Sequence, residues 1–208
     1  MNRGRFLTLE GGEGSGKTTH AHLLRESLER AGIEVIVTRE PGGTPRAEDI
    51  RSLLVSGEPG RWQPLTEALL HFAARAEHVA LSIRPALERG VWVICDRFAD
   101  STMAYQGVAM GVGREKVEAL AAAMLEDFAP DLTLVLDVPE AEGLAREDRN
   151  GGEDRYGQMG PEFHAKVREA FRDIAGREPG RCVLVDSSGS IEEVRDLIWA
   201  AVARKFSL

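Results

Sequence analysis

A chain of 208 residues with 43% apolar and 29% charged residues has the size and balance of one compact domain, which excludes disordered and fibrous classes. Its formal net charge of -8 excludes a broad basic surface for a nucleic-acid polymer but leaves room for a small anion in a local basic pocket. No apolar run reaches bilayer-spanning length and the N-terminus carries no signal-peptide pattern, so a cytoplasmic protein with no membrane partner is expected.

Along the chain, β-rich apolar runs alternate with amphipathic stretches, the pattern of a parallel sheet covered by helices on both faces. The first predicted strand, Arg5–Glu10, leads into Gly11-Gly12-Glu13-Gly14-Ser15-Gly16-Lys17-Thr18-Thr19, which satisfies G-x-x-x-x-G-K-[ST] between a strand and a helix (Lys17–Ala31). The glycines let backbone N–H groups converge on phosphate oxygens, and the helix N-terminus adds partial positive charge. Lys17 then reaches the β- and γ-phosphates and the Thr18 hydroxyl ligates the metal, so ATP and Mg²⁺ are expected. His20 and His22, two apart on that helix, point to different faces and read as a solvated pair rather than metal ligands.

A second strand, Glu34–Arg39, is followed by Glu40-Pro41-Gly42-Gly43-Thr44-Pro45 and helices over Ala47–Val55 and Leu65–Arg89, the latter with a kink at Pro85. The third strand, Val91–Asp96, runs into Arg97-Phe98-Ala99-Asp100-Ser101-Thr102-Met103-Ala104-Tyr105-Gln106. Helix Arg114–Asp127, strand Leu132–Asp137 and helix Pro139–Arg149 follow, then helix Pro161–Gly176, strand Cys182–Asp186 and helix Ile191–Phe206. Arg146–Gly160, rich in glycine and charge, reads as a mobile lid over substrate. Cys95 and Cys182 sit in apolar strand sequences and form neither a disulfide nor a metal site. Ligands of such a sheet bind at the carboxyl ends of its strands. A P-loop alone does not name a reaction, but the chain lacks the N-K-x-D of a guanine-reading switch and is too short for the signature segments of a transport ATPase.

Taken together, Glu10–Thr19, Thr38–Pro45, the Phe72–Arg75 helix segment and Asp96–Gln106 resemble bacterial thymidylate kinases, from about Phe6 to the final helix. The resemblance implies an α/β, P-loop NTPase-type three-layer fold with a five-stranded parallel sheet, one kinase domain over residues 1–208, and a homodimer. It also implies ATP-dependent phosphorylation of dTMP to dTDP in dTTP biosynthesis, with a kinase for another nucleoside monophosphate or a deoxynucleoside as the alternative. By the same resemblance Arg97 lies between the two phosphates, Asp96 acts on Mg²⁺ through water, and Glu13 faces the acceptor's 3′-hydroxyl. Glu40, Pro41, Arg51, Arg75, Ser101, Thr102, Tyr105 and Gln106 belong to the acceptor site: Arg51 for the 5′-phosphate, Arg75 for the thymine edge and Tyr105 against sugar C2′.

Members of the family carry a basic residue either in the P-loop or in the lid; with no Arg between Gly11 and Gly16, the resemblance implies that the lid supplies the charge over ATP, from Arg146, Arg149 or Arg155. The family usually carries a base-stacking Phe four residues before the base-reading arginine, where this chain has His71; Phe72 lies on the adjacent edge of the same face and is the alternative. An imidazole titrating near about pH 6.5 would make acceptor affinity vary between about pH 6 and 8.

Overall fold

The computed structural model describes residues 3–149 and 155–208. Five strands, β1 (Phe6–Glu10), β2 (Val35–Arg39), β3 (Trp92–Asp96), β4 (Leu132–Asp137) and β5 (Cys182–Asp186), pair in parallel in the order β2-β3-β1-β4-β5. The central position of β1 explains its sequence: all five of its residues are buried. Thr8 spends its hydroxyl on the Thr133 hydroxyl of the neighbouring strand at 2.8 Å, so a buried polar pair replaces two lost hydrogen bonds to water.

The helices are α1 (Lys17–Arg30), α2 (Pro45–Val55), α3 (Pro64–His78), α4 (Arg84–Glu88), α5 (Ala99–Thr102), α6 (Arg114–Leu125), α7 (Glu140–Arg149), α8 (Pro161–Arg177) and α9 (Ile191–Phe206). Two apolar cores fill the spaces on either side of the sheet. Phe6, Phe72, Phe98 and Phe171 anchor one; Leu7, Leu9, Leu24, Leu28 and Ile198 anchor the other.

The strand and helix expectations hold to within a few residues, with two differences. Pro85 has no N–H and its ring crowds the carbonyl four residues back. The chain absorbs this in a π-helical turn, Val79–Ile83, between α3 and α4, where the Arg84 N–H reaches Val79 O. A second π-helical stretch, Met103–Ala109, continues α5 and had no counterpart in the sequence reading.

The proposed lid segment also divides. Arg146–Arg149 belong to α7, residues 150–154 lie outside the described residues, and Arg155 and Tyr156 are buried.

Position 143 joins α7 to the P-loop. A Cβ at Gly143 would lie 2.4 Å from Glu13 O, and one at Gly14, whose φ is +61°, would lie 1.9 Å from Gly143 O. Two backbones therefore touch where any side chain would separate them. Gly143→Ala is expected to cost about 1–3 kcal/mol through overpacking. Urea unfolding checks this, and an unchanged midpoint would show that the contact tolerates a methyl group.

Candidate active site

The P-loop joins β1 to α1. Gly16 takes a left-handed φ of 87° just before α1 begins at Lys17. The Lys17 ammonium folds back to donate to Gly12 O at 2.6 Å, Ser15 Oγ at 3.1 Å and Gly11 O at 3.2 Å. Burial, then the neighbouring Arg97 charge, pulls its pKa down to about 8, against the pull of Glu13, Asp96 and Glu10. Beside it, Thr18 Oγ1 donates to Asp96 Oδ2 at 2.5 Å. A hydroxyl and a carboxylate brought together at the foot of a phosphate loop form the hard oxygen donor set that suits Mg²⁺.

Arg97 follows β3 with its backbone in the left-handed region at φ 67°, a conformation that costs a non-glycine residue energy. What holds it there is Glu10, the last residue of β1. Its buried carboxylate accepts from the backbone N–H of Phe98 at 2.8 Å and of Ser101 at 3.3 Å, and from the Ser101 hydroxyl at 2.6 Å. Burial and the nearby Asp100 push Glu10 up to about 7. Sequence reasoning assigned Glu10 no role. The available signal was a charged residue ending an otherwise apolar strand beside the P-loop.

So placed, the Arg97 guanidinium reaches Gly11 O at 2.9 Å and grips Glu13 with one nitrogen at 2.9 and 3.0 Å from its two oxygens. The Tyr105 hydroxyl donates to Glu13 Oε1 at 2.7 Å. Burial opposes ionisation of Glu13, but Arg97 and Lys17, with that hydroxyl, hold it down at about 2.

A cavity of about 740 Å³ opens on these groups and is lined by both the P-loop and the segment after β3. Among the expected residues, Glu13, Lys17, Thr18, Glu40, Pro41, Arg51, His71, Asp96, Arg97, Ser101, Thr102, Tyr105, Gln106 and Arg146 all face it. Arg51 donates to Pro41 O at 2.8 Å. Arg146 donates to Ser187 O at 2.9 Å, which places it on the wall built by the β5–α9 loop. The Arg149 side chain lies outside the described residues.

Four expectations need correction. Phe72 does not face the cavity; it is buried, with its ring centroid 4.9 Å from Arg75 Cζ, so it packs on the arginine instead of a base. Arg155 is no cover for ATP, because it is buried, paired with Glu67 and bonded to Leu54 O at 2.5 Å. His20 is buried and faces the cavity, so it is not half of a solvated pair. His71 does not titrate near neutrality: burial, and then the charges of Arg75, Arg155, Arg97 and Arg51, depress it to about 3.

A buried network that the sequence did not disclose closes the acceptor end. Glu67 Oε1 accepts from Gln106 Nε2 at 2.8 Å and from the Tyr156 hydroxyl at 2.7 Å, while its other oxygen holds Arg155. Since the Tyr156 proton is directed to Glu67, its oxygen accepts from His71 Nε2 at 3.1 Å.

Residues 9–198 match the family described as "Thymidylate kinase". The chain belongs to the thymidylate kinase family. It is similar to the thymidylate kinase of Afipia carboxidovorans, 49% identical with 99% of this chain and 91% of that protein covered. The thymidylate kinase of Caulobacter vibrioides is 46% identical over the full length of both chains. The crystal structure of thymidylate kinase from Ehrlichia chaffeensis superimposes with a TM-score of 0.77 at 35% identity, covering 96% of this chain and 98% of that one. The family fold is therefore the observed P-loop α/β architecture.

The surroundings of His71 give a direct test of the site's electrostatics. With a pKa near 3, the imidazole should remain neutral, with Nε2 protonated, from about pH 5 to 8. Nitrogen-15 NMR of labelled histidine should show no titration for His71 in that interval. A midpoint above pH 6 would mean that burial and the arginine charges do not act on it as described.

Proposed function

We propose that this protein transfers the γ-phosphate of ATP to dTMP, giving dTDP and ADP, with the whole chain acting as one kinase domain. The observation that carries the reading is one cavity in which Lys17 and Arg97 meet Glu13 beside the thymidylate kinase acceptor motif. Family membership and the 46–51% identity to proteins named thymidylate kinase support the acceptor's identity.

In this reading the P-loop backbone and Lys17 hold the β- and γ-phosphates, which compete with the carbonyls that Lys17 now contacts. Arg97 moves from Glu13 to the phosphoryl oxygens, where charge spreads during transfer. Arg51 takes the acceptor phosphate and Tyr105 the deoxyribose face. His71 offers its ring to the base, and Arg75, buried behind the cavity residues Glu40 and Thr102, reads the base edge. Thr18 and Asp96 would hold Mg²⁺, which would supply charge neutralisation to the phosphates. Arg146 borders the donor end of the cavity, with Arg149 as a further lid charge.

We infer a homodimer from the apolar residues exposed on α3 and the π turn after it. Leu65 and Leu69, one helical turn apart, are 44% and 48% exposed, and Leu81 is 56% exposed. No helix among the described residues is long and apolar enough to cross a membrane. A cytoplasmic location belongs to the same reading, since ATP and dTMP are soluble nucleotides.

Four measurements test the assignment. Purified protein mixed with ATP, Mg²⁺ and single nucleoside monophosphates should release ADP fastest with dTMP; equal or greater release with another monophosphate would reassign the acceptor. Arg97→Ala should lower kcat by about 10²–10³ while changing either KM far less, because its benefit lies in the transition state. A change confined to the dTMP KM would make Arg97 a ground-state clamp. His71→Ala should weaken dTMP binding about five- to a hundredfold, as expected for loss of base stacking. Phe72→Ala, buried in the core, should instead cost about 3–5 kcal/mol of stability. Calorimetric dTMP titration and thermal melts of the two variants separate these outcomes.

A further inference from the structure

Arg75 is nearly fully buried at 2% exposure, yet one of its guanidinium nitrogens, Nη1, has no hydrogen-bond partner among the described residues. Every other freedom of the group is removed. Phe72 and Phe98 place their ring centroids 4.9 and 5.1 Å from Cζ, which fixes the guanidinium between two aromatic side chains. Nε donates to Glu40 Oε2 at 2.6 Å, and Nη2 donates to Phe98 O at 2.9 Å and Thr102 Oγ1 at 3.2 Å, which fixes its rotation. Glu40 and Thr102 both line the cavity, so the guanidinium that carries the unpaired nitrogen is bonded to two residues of that wall. An unpaired buried donor is costly unless a ligand completes it.

Glu40 can hold Arg75 only if Glu40 is itself held. Its second oxygen, Oε1, accepts from Nδ1 of the fully buried His78 at 3.0 Å. The other ring nitrogen, Nε2, meets the Thr38 hydroxyl at 2.7 Å. A Cβ at Gly43 would fall 2.3 Å from His78 Nε2 and 2.7 Å from Thr38 Oγ1, so a glycine keeps this space clear. Cys95 brings its sulfur within 4.8 Å of the Glu40 and His78 ligand atoms. That trio does not make a cation site, because both Glu40 oxygens already serve donors and one of them is a guanidinium.

We propose that His78 is a positioning residue for base recognition: through Glu40 it fixes the rotation of Arg75, so that the unpaired nitrogen meets a 4-keto pyrimidine and rejects a 4-amino one. This rests on the dTMP reading and deepens it. A 4-keto oxygen accepts a hydrogen bond from Arg75, whereas a 4-amino group presents a second donor to a donor. The imidazole serves because it spans two partners, donating from Nδ1 to a carboxylate while Nε2 engages a hydroxyl. Without it, Glu40 loses one of its two fixed donors and the guanidinium gains room to rotate.

The test is steady-state kinetics with saturating ATP, using dTMP and dCMP as acceptors, on the wild-type protein, His78→Leu and His78→Asn. Leucine keeps much of the volume and removes the donor; asparagine restores an N–H near the place of Nδ1. His78→Leu is expected to raise the dTMP KM about tenfold with kcat changed less than about threefold, and to lower the dTMP:dCMP ratio of kcat/KM by about tenfold. His78→Asn should recover most of both effects. A folded His78→Leu protein with the wild-type dTMP KM and acceptor ratio overturns the inference and leaves the acceptor assignment standing. Equal losses of thermal stability and kcat in both variants, with an unchanged acceptor ratio, also overturn it, since that pattern marks a packing role. If His78→Leu yields no folded protein, Thr38→Val, which frees only Nε2, carries the test with an expected rise of about threefold in dTMP KM. No rise there overturns the proposal. A wild-type protein without preference for dTMP over dCMP removes the acceptor assignment first, and this inference with it.

Discussion

Buried carboxylates fix the positions of the arginines, and most of the site follows from that. Glu13 holds Arg97, Glu40 holds Arg75, and Glu67 holds Arg155. A guanidinium cannot shed its charge, so a buried one needs an acceptor in a fixed place. Each acceptor here is itself tied down by a second donor: Tyr105 on Glu13, His78 on Glu40, and Gln106 with Tyr156 on Glu67. Glu10 applies the same device to the backbone, anchoring the segment from which Arg97 projects. This reconciles a chain of net charge -8 with a cavity proposed to bind polyphosphates: the acidic residues include those that organise the local positive charge.

The sheet provides the rest of the arrangement. With β1 between β3 and β4, the P-loop and the Arg97 segment leave the same edge of the sheet as neighbours. β2 lies on the far side of β3, with Arg39 in register with Asp96, so the Glu40-Pro41 turn arrives on that edge too. The Glu40 N–H donates to Asp96 O at 2.9 Å, which joins the second and third functional turns directly. Side chains far apart in sequence converge without long loops because parallel strands deliver their carboxyl ends to one place.

What the sequence disclosed, and what it did not, follows the range of the interactions. The P-loop, the five strands and most helices are local patterns, and they appear where periodicity and glycine spacing put them. The Met103–Ala109 π-helix was not legible, since its wider turn has no spacing signature and depends on what packs around it. Helical spacing placed both His71 and Phe72 near the face of Arg75, but only packing decides which points to the cavity and which to the core. Glu67 and Arg155 are 88 residues apart, and nothing local to either announces the pair. For the same reason Arg146–Gly160 read as a lid along its whole length, although Arg155 is an anchor. The depressed His71 pKa comes first from burial and then from four arginines of separate elements, a sum no single helix reveals.

The Arg97–Glu13 pair has a further consequence for the proposed reaction. Held near 2, Glu13 remains ionised at any working pH, so without substrates the charges of Lys17 and Arg97 are opposed by those of Glu13 and Asp96. Phosphates therefore bring a charge excess that the site meets by exchanging partners. In the proposed reaction Arg97 would turn to the phosphoryl oxygens, leaving Glu13 with the Tyr105 hydroxyl and with unused acceptor capacity. The acceptor's 3′-hydroxyl can supply the missing donor, so binding of the second nucleotide compensates the carboxylate uncovered by the first. In the proposed reaction, the pair that neutralises the empty site would therefore couple the binding of the two substrates. The strained backbone of Arg97 suits that exchange: Glu10 holds the main chain in place while the side chain changes partner.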